Sequence, residues 1–155
     1  MSDIYANAVD SLRLGIDHYL KDPTYSSRKH SILTLFHAIE LFLKERLYRV
    51  NPLFIYKNIE SEVTDDSVTV GVRDAIARLR NLGLGMPLEQ QKVIETIQKR
   101  RNRIEHHRYD QQSEDEKIIA ESLSFVLLFT NLELRAKLED DIPPETLRGN
   151  TADRL

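Results

Sequence analysis

The residues of this chain that are best suited to chemistry lie in one segment with helical periodicity, 88–107. Isoleucines recur there at helical steps, and Arg101 fills the slot in which the pattern predicts an apolar side chain. Burying a guanidinium costs several kcal/mol unless it is paired, so Arg101 needs a carboxylate, a partner subunit or a phosphate. The isoleucines are Ile94, Ile97 and Ile104.

Two further polar side chains accompany Arg101 on the same segment. Asn102 and His106 are four residues apart and share one face of a helix. At 100° per residue, Asn102 lies about 100° and His106 about 140° around the helix from Arg101. One arc therefore carries a cation, an amide and an imidazole, and the imidazole suits proton transfer near neutral pH.

Two plainer interpretations of these residues stay open. Arg101 and Glu105 are four residues apart and could form an ordinary ion pair within the helix. His106 and His107 could simply be residues of a frayed helix end. The spacing alone fits these interpretations as well as it fits a phosphate site.

The distribution of charge limits where a phosphate site can lie. The net charge of −3 excludes a bulk electrostatic attraction to nucleic acid. Between Lys99 and Arg108, however, there are five basic residues and two histidines, with Glu105 as the one acid. Any phosphate-binding surface is therefore expected in this stretch.

The composition excludes several classes of protein. The chain has 155 residues, is 41% hydrophobic and contains no cysteine, which excludes disulfides, a thiol nucleophile and a cysteine metal cluster. Its longest apolar run, 125–129, is far shorter than the ~20 residues of a membrane span. The first residues lack the pattern of a signal peptide. We therefore expect a soluble, cytoplasmic, single-domain protein without a membrane partner.

Hydrophobic periodicity predicts an all-α fold, a bundle of four to six helices formed by one domain over residues 1–138. The second predicted helix has the strongest apolar stripe. Helices are predicted over 3–20, 26–50, 71–82, 88–107 and 113–138.

The segments between and after these helices carry weaker signals. Residues 53–56 predict a short helix, and residues 62–70 predict a loop. Ser113 and Glu116 have the spacing of a capping box at the start of the last long helix. Residues 139–155 are expected to form a loose C-terminal tail.

In this setting the hexapeptide 101–106 has the pattern R-N-x-x-x-H. It resembles the R-x(4-6)-H signature of the HEPN superfamily (higher eukaryote and prokaryote nucleotide-binding), which lies towards the end of a late helix. Segment 37–44, HAIELFLK, resembles an earlier helix of that family, an apolar run with a Glu followed by a Lys. The resemblance extends over about residues 3–138 and implies a HEPN-like helical domain.

Many HEPN proteins are metal-independent ribonucleases that act as homodimers, with two such motifs facing each other across a cleft. The resemblance implies that His106 is the general base or acid, that Arg101 holds the scissile phosphate, and that Asn102 orients either group. The product would carry a 2′,3′-cyclic phosphate, and neither a metal nor another cofactor would take part.

The resemblance also implies contacts that do not depend on the base sequence. Lys99, Arg100 and Arg103 would bind phosphates, and His107, which also meets the motif spacing, is a further substrate-binding candidate. The implied partners are RNA, a second copy of the chain and, in a toxin or defence effector, an antitoxin protein. The alternative is a HEPN-like module without catalysis that binds nucleotide, RNA or a protein.

One branch of the superfamily fits less well. His107 and Tyr109 resemble the His-x-Tyr ending of HepT toxins, in which the tyrosine is a modification target. In that branch the histidine lies five residues after the arginine, which is His106 here, and Arg108 stands two residues beyond it. The chain therefore departs from the HepT pattern.

The second predicted helix carries a smaller polar group. His37 and Glu40 are three residues apart, but a single pair rarely makes a metal site, so His37 is interpreted as a bundle histidine. Glu40 either pairs with Lys44 one turn later or neutralises Arg101 across the bundle. Phe36 is interpreted as core or dimer interface.

Overall fold

The computed structural model of the chain describes residues 2–21, 25–110 and 113–142. These residues form six α-helices and no β-strand, so the predicted all-α bundle is confirmed. Among the helices of this described part, none is both long and apolar enough to span a membrane. The helices are α1 (Asp3–Leu20), α2 (Tyr25–Val50), α3 (Val72–Asn81), α4 (Leu88–His106), α5 (Asp115–Glu133) and α6 (Leu138–Asp141).

The central helix of the bundle is α2, which packs against α1, α3, α4 and α5. One hydrophobic core contains side chains from all six helices. Several α2 residues in it are fully buried because neighbours cover more than one side of the helix. They are Ile32, Leu35, Ile39, Phe42 and Leu43. The core fixes α4 against α2, and this contact positions the candidate site.

A glycine allows α1 and α2 to approach closely. A Cβ atom on Gly15 would lie 2.8 Å from Cδ2 of Leu35, which is closer than unbonded carbons tolerate. In the space that is left, the hydroxyl of Ser31 donates to the Gly15 carbonyl at 2.8 Å. The hairpin formed by α1 and α2, which we name the helical hairpin, is therefore stabilised by a hydrogen bond to the α1 backbone as well as by its apolar stripes.

Four of the five predicted long helices, α1 to α4, lie within one residue of their expected bounds. Gly83, with φ of 76°, takes the left-handed conformation that commonly follows a helix, here α3. The short helix predicted over 53–56 is a 3₁₀ helix, Pro52–Ile55. The sequence also predicts that Asp22-Pro23 stops the first helix, because the residue before a proline disfavours helical backbone, and these residues lie outside the described part of the chain.

The capping box predicted at the start of the last long helix is wrong. α5 begins at Asp115, and no side chain in the described part of the chain caps its first turn. Glu116 instead pairs with Arg28 of α2 at 2.6 Å, and Asp115 turns inward to Arg100. Both carboxylates of the first turn therefore form tertiary ion pairs. Glu116, which the capping box requires, pairs with α2 instead of with the start of its own helix.

The predicted end of that helix at Leu138 is also wrong. α5 ends at Glu133, and Arg135 shortly after it has a φ of 50°. The N–H of Ala136 then bonds to the Thr130 carbonyl at 3.0 Å. A residue in the left-handed region cannot continue a right-handed helix, so the chain turns away.

The described part of the predicted loose tail is packed. Leu138 and Ile142 are each 2% exposed, and the hydroxyl of Tyr5 in α1 donates to Asp141 at 2.8 Å. The tail prediction is therefore wrong for residues 139–142, because α6 returns the chain to α1. The remainder of the predicted tail, 143–155, lies outside the described residues.

The loop predicted over 62–70 forms no strand but makes one antiparallel bridge, between Tyr56 and Thr69. The Thr69 hydroxyl also accepts a hydrogen bond from the Lys44 ammonium of α2 at 2.9 Å. The loop is therefore fastened to the 3₁₀ region and to the central helix.

Candidate functional site

The candidate site is built on the apolar face of α4. Ile94 and Ile97 are fully buried and Ile104 is 4% exposed, which confirms the predicted stripe. Arg101 occupies the remaining slot of the stripe and projects towards Phe36 of α2. A guanidinium therefore stands at the contact of two helices, where the periodicity calls for a hydrophobic residue.

Two contacts hold Arg101 in this slot. Its guanidinium carbon lies 4.4 Å from the centre of the Phe36 ring, a cation–π contact. Its Nη1 donates to Oε2 of Glu105 at 2.8 Å, which confirms the ion pair considered from the spacing. The side chain is still 25% exposed, while its buried Nε–H has no hydrogen-bond partner among the described residues. The exposed part of the guanidinium therefore keeps donor capacity that another acceptor can use.

A polar cleft of about 170 Å³ opens beside Arg101. It contains one arginine, one histidine and two carboxylates, and it is smaller than the ~300–1,000 Å³ of pockets for drug-sized ligands. A single group such as a phosphate fits this size better than a whole nucleotide. The residues that line this Arg101 cleft are Leu33, Phe36, His37 and Glu40 of α2 and Arg101 and Glu105 of α4.

Charges in the cleft are already partly paired. Glu40 accepts from the Lys44 ammonium at 2.9 Å, so the predicted pair within α2 is confirmed. Glu40 nevertheless lines the same cleft as Arg101. His37 is exposed there rather than packed inside the bundle, contrary to the sequence-based interpretation.

The structure does not bring the three predicted catalytic residues together within one chain. Asn102 and His106 are exposed and do not line the Arg101 cleft. The separation of about 140° around α4 between Arg101 and His106 explains this, because only the arginine's side of the helix meets α2. An arrangement that joins them needs a second copy of α4 or a substrate that reaches both faces.

Four exposed side chains lie within about 100° of arc on α4, and we name this surface the exposed α4 face. They are Lys99, Asn102, Arg103 and His106. Arg103 is 56% exposed and only loosely paired, 3.8 Å from Asp110. This surface carries three of the predicted substrate and proton-transfer groups in positions that a polyanion can reach.

The two adjacent histidines differ in backbone conformation. His106 is the last residue of α4, whereas His107 follows in an extended conformation with φ of −133°. The N–H of His107 still bonds to the Arg103 carbonyl at 2.9 Å, and its side chain is exposed. His106 therefore keeps the helical register of the motif, and His107 does not.

Arg100 does not belong to the exposed basic surface. It is 4% exposed, and its Nε and Nη2 donate to the Asp115 carboxylate at 2.8 and 3.1 Å. Nη2 also donates to the Asp110 carbonyl at 2.5 Å. Arg100 immediately precedes the R-N-x-x-x-H motif, and its side chain faces α5 rather than solvent. This position is incompatible with the phosphate contact expected of Arg100.

Tyr109 completes a buried group with Arg100 and Asp115, which we name the Arg100 clamp. Its hydroxyl donates to Oδ2 of Asp115 at 2.9 Å, and its ring lies 5.0 Å from the Arg100 guanidinium carbon. Burial and the Asp115 carboxylate raise the pKa of the Tyr109 phenol to about 12. Burial lowers the pKa of Arg100, but the hydrogen bonding to Asp115 and the nearby charges of Asp115, Tyr109 and Asp110 together raise it, so Arg100 stays charged.

Within the described residues, no group of three or more His, Asp or Glu side chains is arranged to hold a metal ion. His37, Glu40 and Glu105 all line the Arg101 cleft, but they do not form such a group.

Comparison of the chain with protein-family models, with curated proteins and with solved structures finds no match. Sequence periodicity located Arg101 but could not find Phe36 and His37 as its neighbours, because a contact between α2 and α4 leaves no signal in local spacing.

Proposed function

We propose that this chain is a HEPN-like endoribonuclease that acts as a homodimer and cuts RNA without a metal ion, leaving 2′,3′-cyclic phosphate ends. The observation that carries the proposal is the position of Arg101 beside the small polar cleft that its side chain helps to line. A partly exposed guanidinium in an apolar slot, with an open polar space beside it, is suited to an incoming phosphate.

The roles follow from the chemistry of each group. Arg101 binds the scissile phosphate and stabilises the charge that develops on its oxygens in the transition state. His106 transfers a proton, and Asn102 orients the phosphate or the imidazole. Lys99 and Arg103 of the exposed α4 face, with His107 beside them, bind flanking phosphates without regard to base.

A second copy of the chain supplies the rest of the site. Since Arg101 and His106 lie on different sides of α4, a two-fold pairing of α4 helices brings the histidine of one copy towards the arginine of the other. This is the arrangement that the HEPN resemblance implies. Such an enzyme acts in the cytoplasm, and as a toxin or defence effector it has an antitoxin protein as a further partner.

The test is cleavage of a labelled single-stranded RNA in EDTA. Wild type is expected to cut, His106→Ala to lose cutting by at least about a hundredfold, and His107→Ala to lose only the few-fold contribution of one flanking phosphate contact. The adjacent histidine is the matched comparison, because it is the same residue type and is also exposed. A folded, dimeric wild type that cuts none of several RNAs would exclude the nuclease.

A second candidate function is supported by one contact. The pairing of Arg101 with Glu105 at 2.8 Å and its contact with Phe36 satisfy much of its charge without any substrate. A HEPN-like module that binds RNA, nucleotide or a protein without cutting fits this arrangement. Retained RNA binding in wild type without any cleavage would favour it.

A further inference from the structure

The Arg101 cleft contains a histidine that the motif does not include. His37 lies on α2 directly after Phe36, the residue whose ring carries the Arg101 guanidinium. Its side chain is exposed into the same cleft of about 170 Å³. An imidazole and a guanidinium from two different helices therefore face one small space, while the histidine of the motif lies outside it.

The proposed reaction needs two proton-transfer groups. The 2′-oxygen forms a bond to phosphorus while the bond from phosphorus to the 5′-oxygen breaks. A base takes the proton from the 2′-hydroxyl, and an acid gives a proton to the departing 5′-oxygen, so charge and atoms balance without a cofactor. One histidine can serve only one of these steps at a time.

We propose that His37 is the second proton-transfer residue of this site, paired with His106 and acting on the phosphodiester that Arg101 holds. The inference rests on the proposed ribonuclease function and adds a catalytic group to it. Each active site then takes an arginine and a histidine from one Arg101 cleft and the second histidine from an exposed α4 face.

The charged groups around His37 are compatible with this role. Glu40, Arg101 and Glu105 line the cleft with it, and Lys44 holds Glu40 at 2.9 Å. The other described histidines of the helical hairpin are placed elsewhere: His18 and His30 lie with ring centres 5.4 Å apart and do not line this cleft. His37 is thus the α2 histidine with access to the phosphate site.

The experiment measures single-turnover cleavage of a labelled RNA in EDTA between pH 5 and 9. His37→Gln is compared with wild type, with His106→Gln and with His30→Gln, the matched control on the same helix. Binding of the same RNA with 2′-O-methyl groups, which cannot be cut, is measured in parallel. A substrate with a bridging 5′-sulfur, whose departure needs no proton, is cut by each variant as well.

His37→Gln is expected to lower the rate at least about a hundredfold, to remove one limb of the pH profile and to leave RNA affinity within about twofold. His30→Gln is expected to behave as wild type. Restoration of His37→Gln cleavage by the 5′-sulfur substrate assigns His37 as the acid, and failure to restore it assigns the base.

Two outcomes would overturn the inference, and they are distinguishable from each other. If wild type cuts and His106→Gln does not, but His37→Gln cuts normally or loses affinity alone, His37 is not catalytic and the ribonuclease stands. If wild type cuts no RNA while it binds the methylated one, the ribonuclease itself falls, and His37 falls with it.

Discussion

Arg100 and Arg101 are consecutive residues of α4, and their side chains end in different environments. Arg100 is 4% exposed and is paired with Asp115, which is fully buried. Arg101 is 25% exposed and is paired with Glu105, which is 44% exposed. Both guanidiniums also lie near an aromatic ring, Tyr109 for the first and Phe36 for the second.

The two ion pairs differ in the free energy that is needed to break them. A buried pair such as that of Arg100 cannot be opened without leaving a charge in the core. An exposed pair four residues apart on a helix is worth about 0.3–0.5 kcal/mol, so an arriving phosphate displaces Glu105 at little cost. Arg100 is therefore committed to the fold, whereas Arg101 is available for the proposed phosphate contact.

The largest expected effect is on the clamp. Asp115→Ala leaves the Arg100 charge buried and unpaired, and we expect the free energy of unfolding to fall by about 3–5 kcal/mol. Urea unfolding followed by circular dichroism measures it, with Glu105→Ala as the control at about 0.5 kcal/mol. Equal losses in the two variants would remove the distinction between the arginines.

The next effect is on activity. Arg101→Ala is expected to lower RNA cleavage by about 10²–10³-fold, because a donor to the developing phosphate charge is lost. Its unfolding free energy should fall by only about 1–2 kcal/mol, the value of a partly buried cation–π contact and an exposed pair. If Arg101→Ala is unfolded instead, Arg101 is required for the stability of the fold, as Arg100 is.

A smaller loss of stability is expected at Tyr109. Tyr109→Phe keeps the ring but removes the hydrogen bond to the Asp115 carboxylate, which costs about 1.5–3 kcal/mol for a bond to a charged group. Urea unfolding at pH 7 checks this value, and RNA cleavage by the folded variant should change little. A large loss of cleavage with unchanged stability would place the clamp in the catalytic machinery.

The same variant has a pH signature. Because the folded-state pKa of Tyr109 is raised to about 12 from 10, its contribution is complete below pH 10 and is lost as pH rises through 12. The stability difference between wild type and Tyr109→Phe should therefore shrink between pH 10 and 12. A difference that is constant over this range would contradict the raised pKa.

The smallest effect is expected from Glu105→Gln. Stability should change by no more than about 0.5 kcal/mol, since the pair is exposed and local. Affinity for RNA that cannot be cut should rise by roughly two- to fivefold, because the carboxylate no longer competes for Arg101. Filter binding at fixed salt measures it, with Glu121→Gln on α5 as the charge-matched control. Equal gains in both variants would mean that net charge alone is responsible.

Local patterns were sufficient for much of the fold. The apolar stripes placed α1 to α4 within one residue of their bounds, because helix periodicity is a property of neighbouring residues. They were insufficient for α5 and α6. At the start of α5, Glu116 pairs with Arg28 instead of capping the helix. After α5, the chain turns at Arg135, and α6 packs against α1.

The sequence by itself determined the all-α architecture, the helix that carries R-N-x-x-x-H and the exceptional position of Arg101 on that helix. Only the tertiary structure decided that Arg100 turns to Asp115 while Arg101 turns to Phe36, and that His37 rather than His106 shares the cleft of Arg101. The physical reason is that spacing sets the angle of a side chain around its own helix. What stands at that angle depends on how the helices pack.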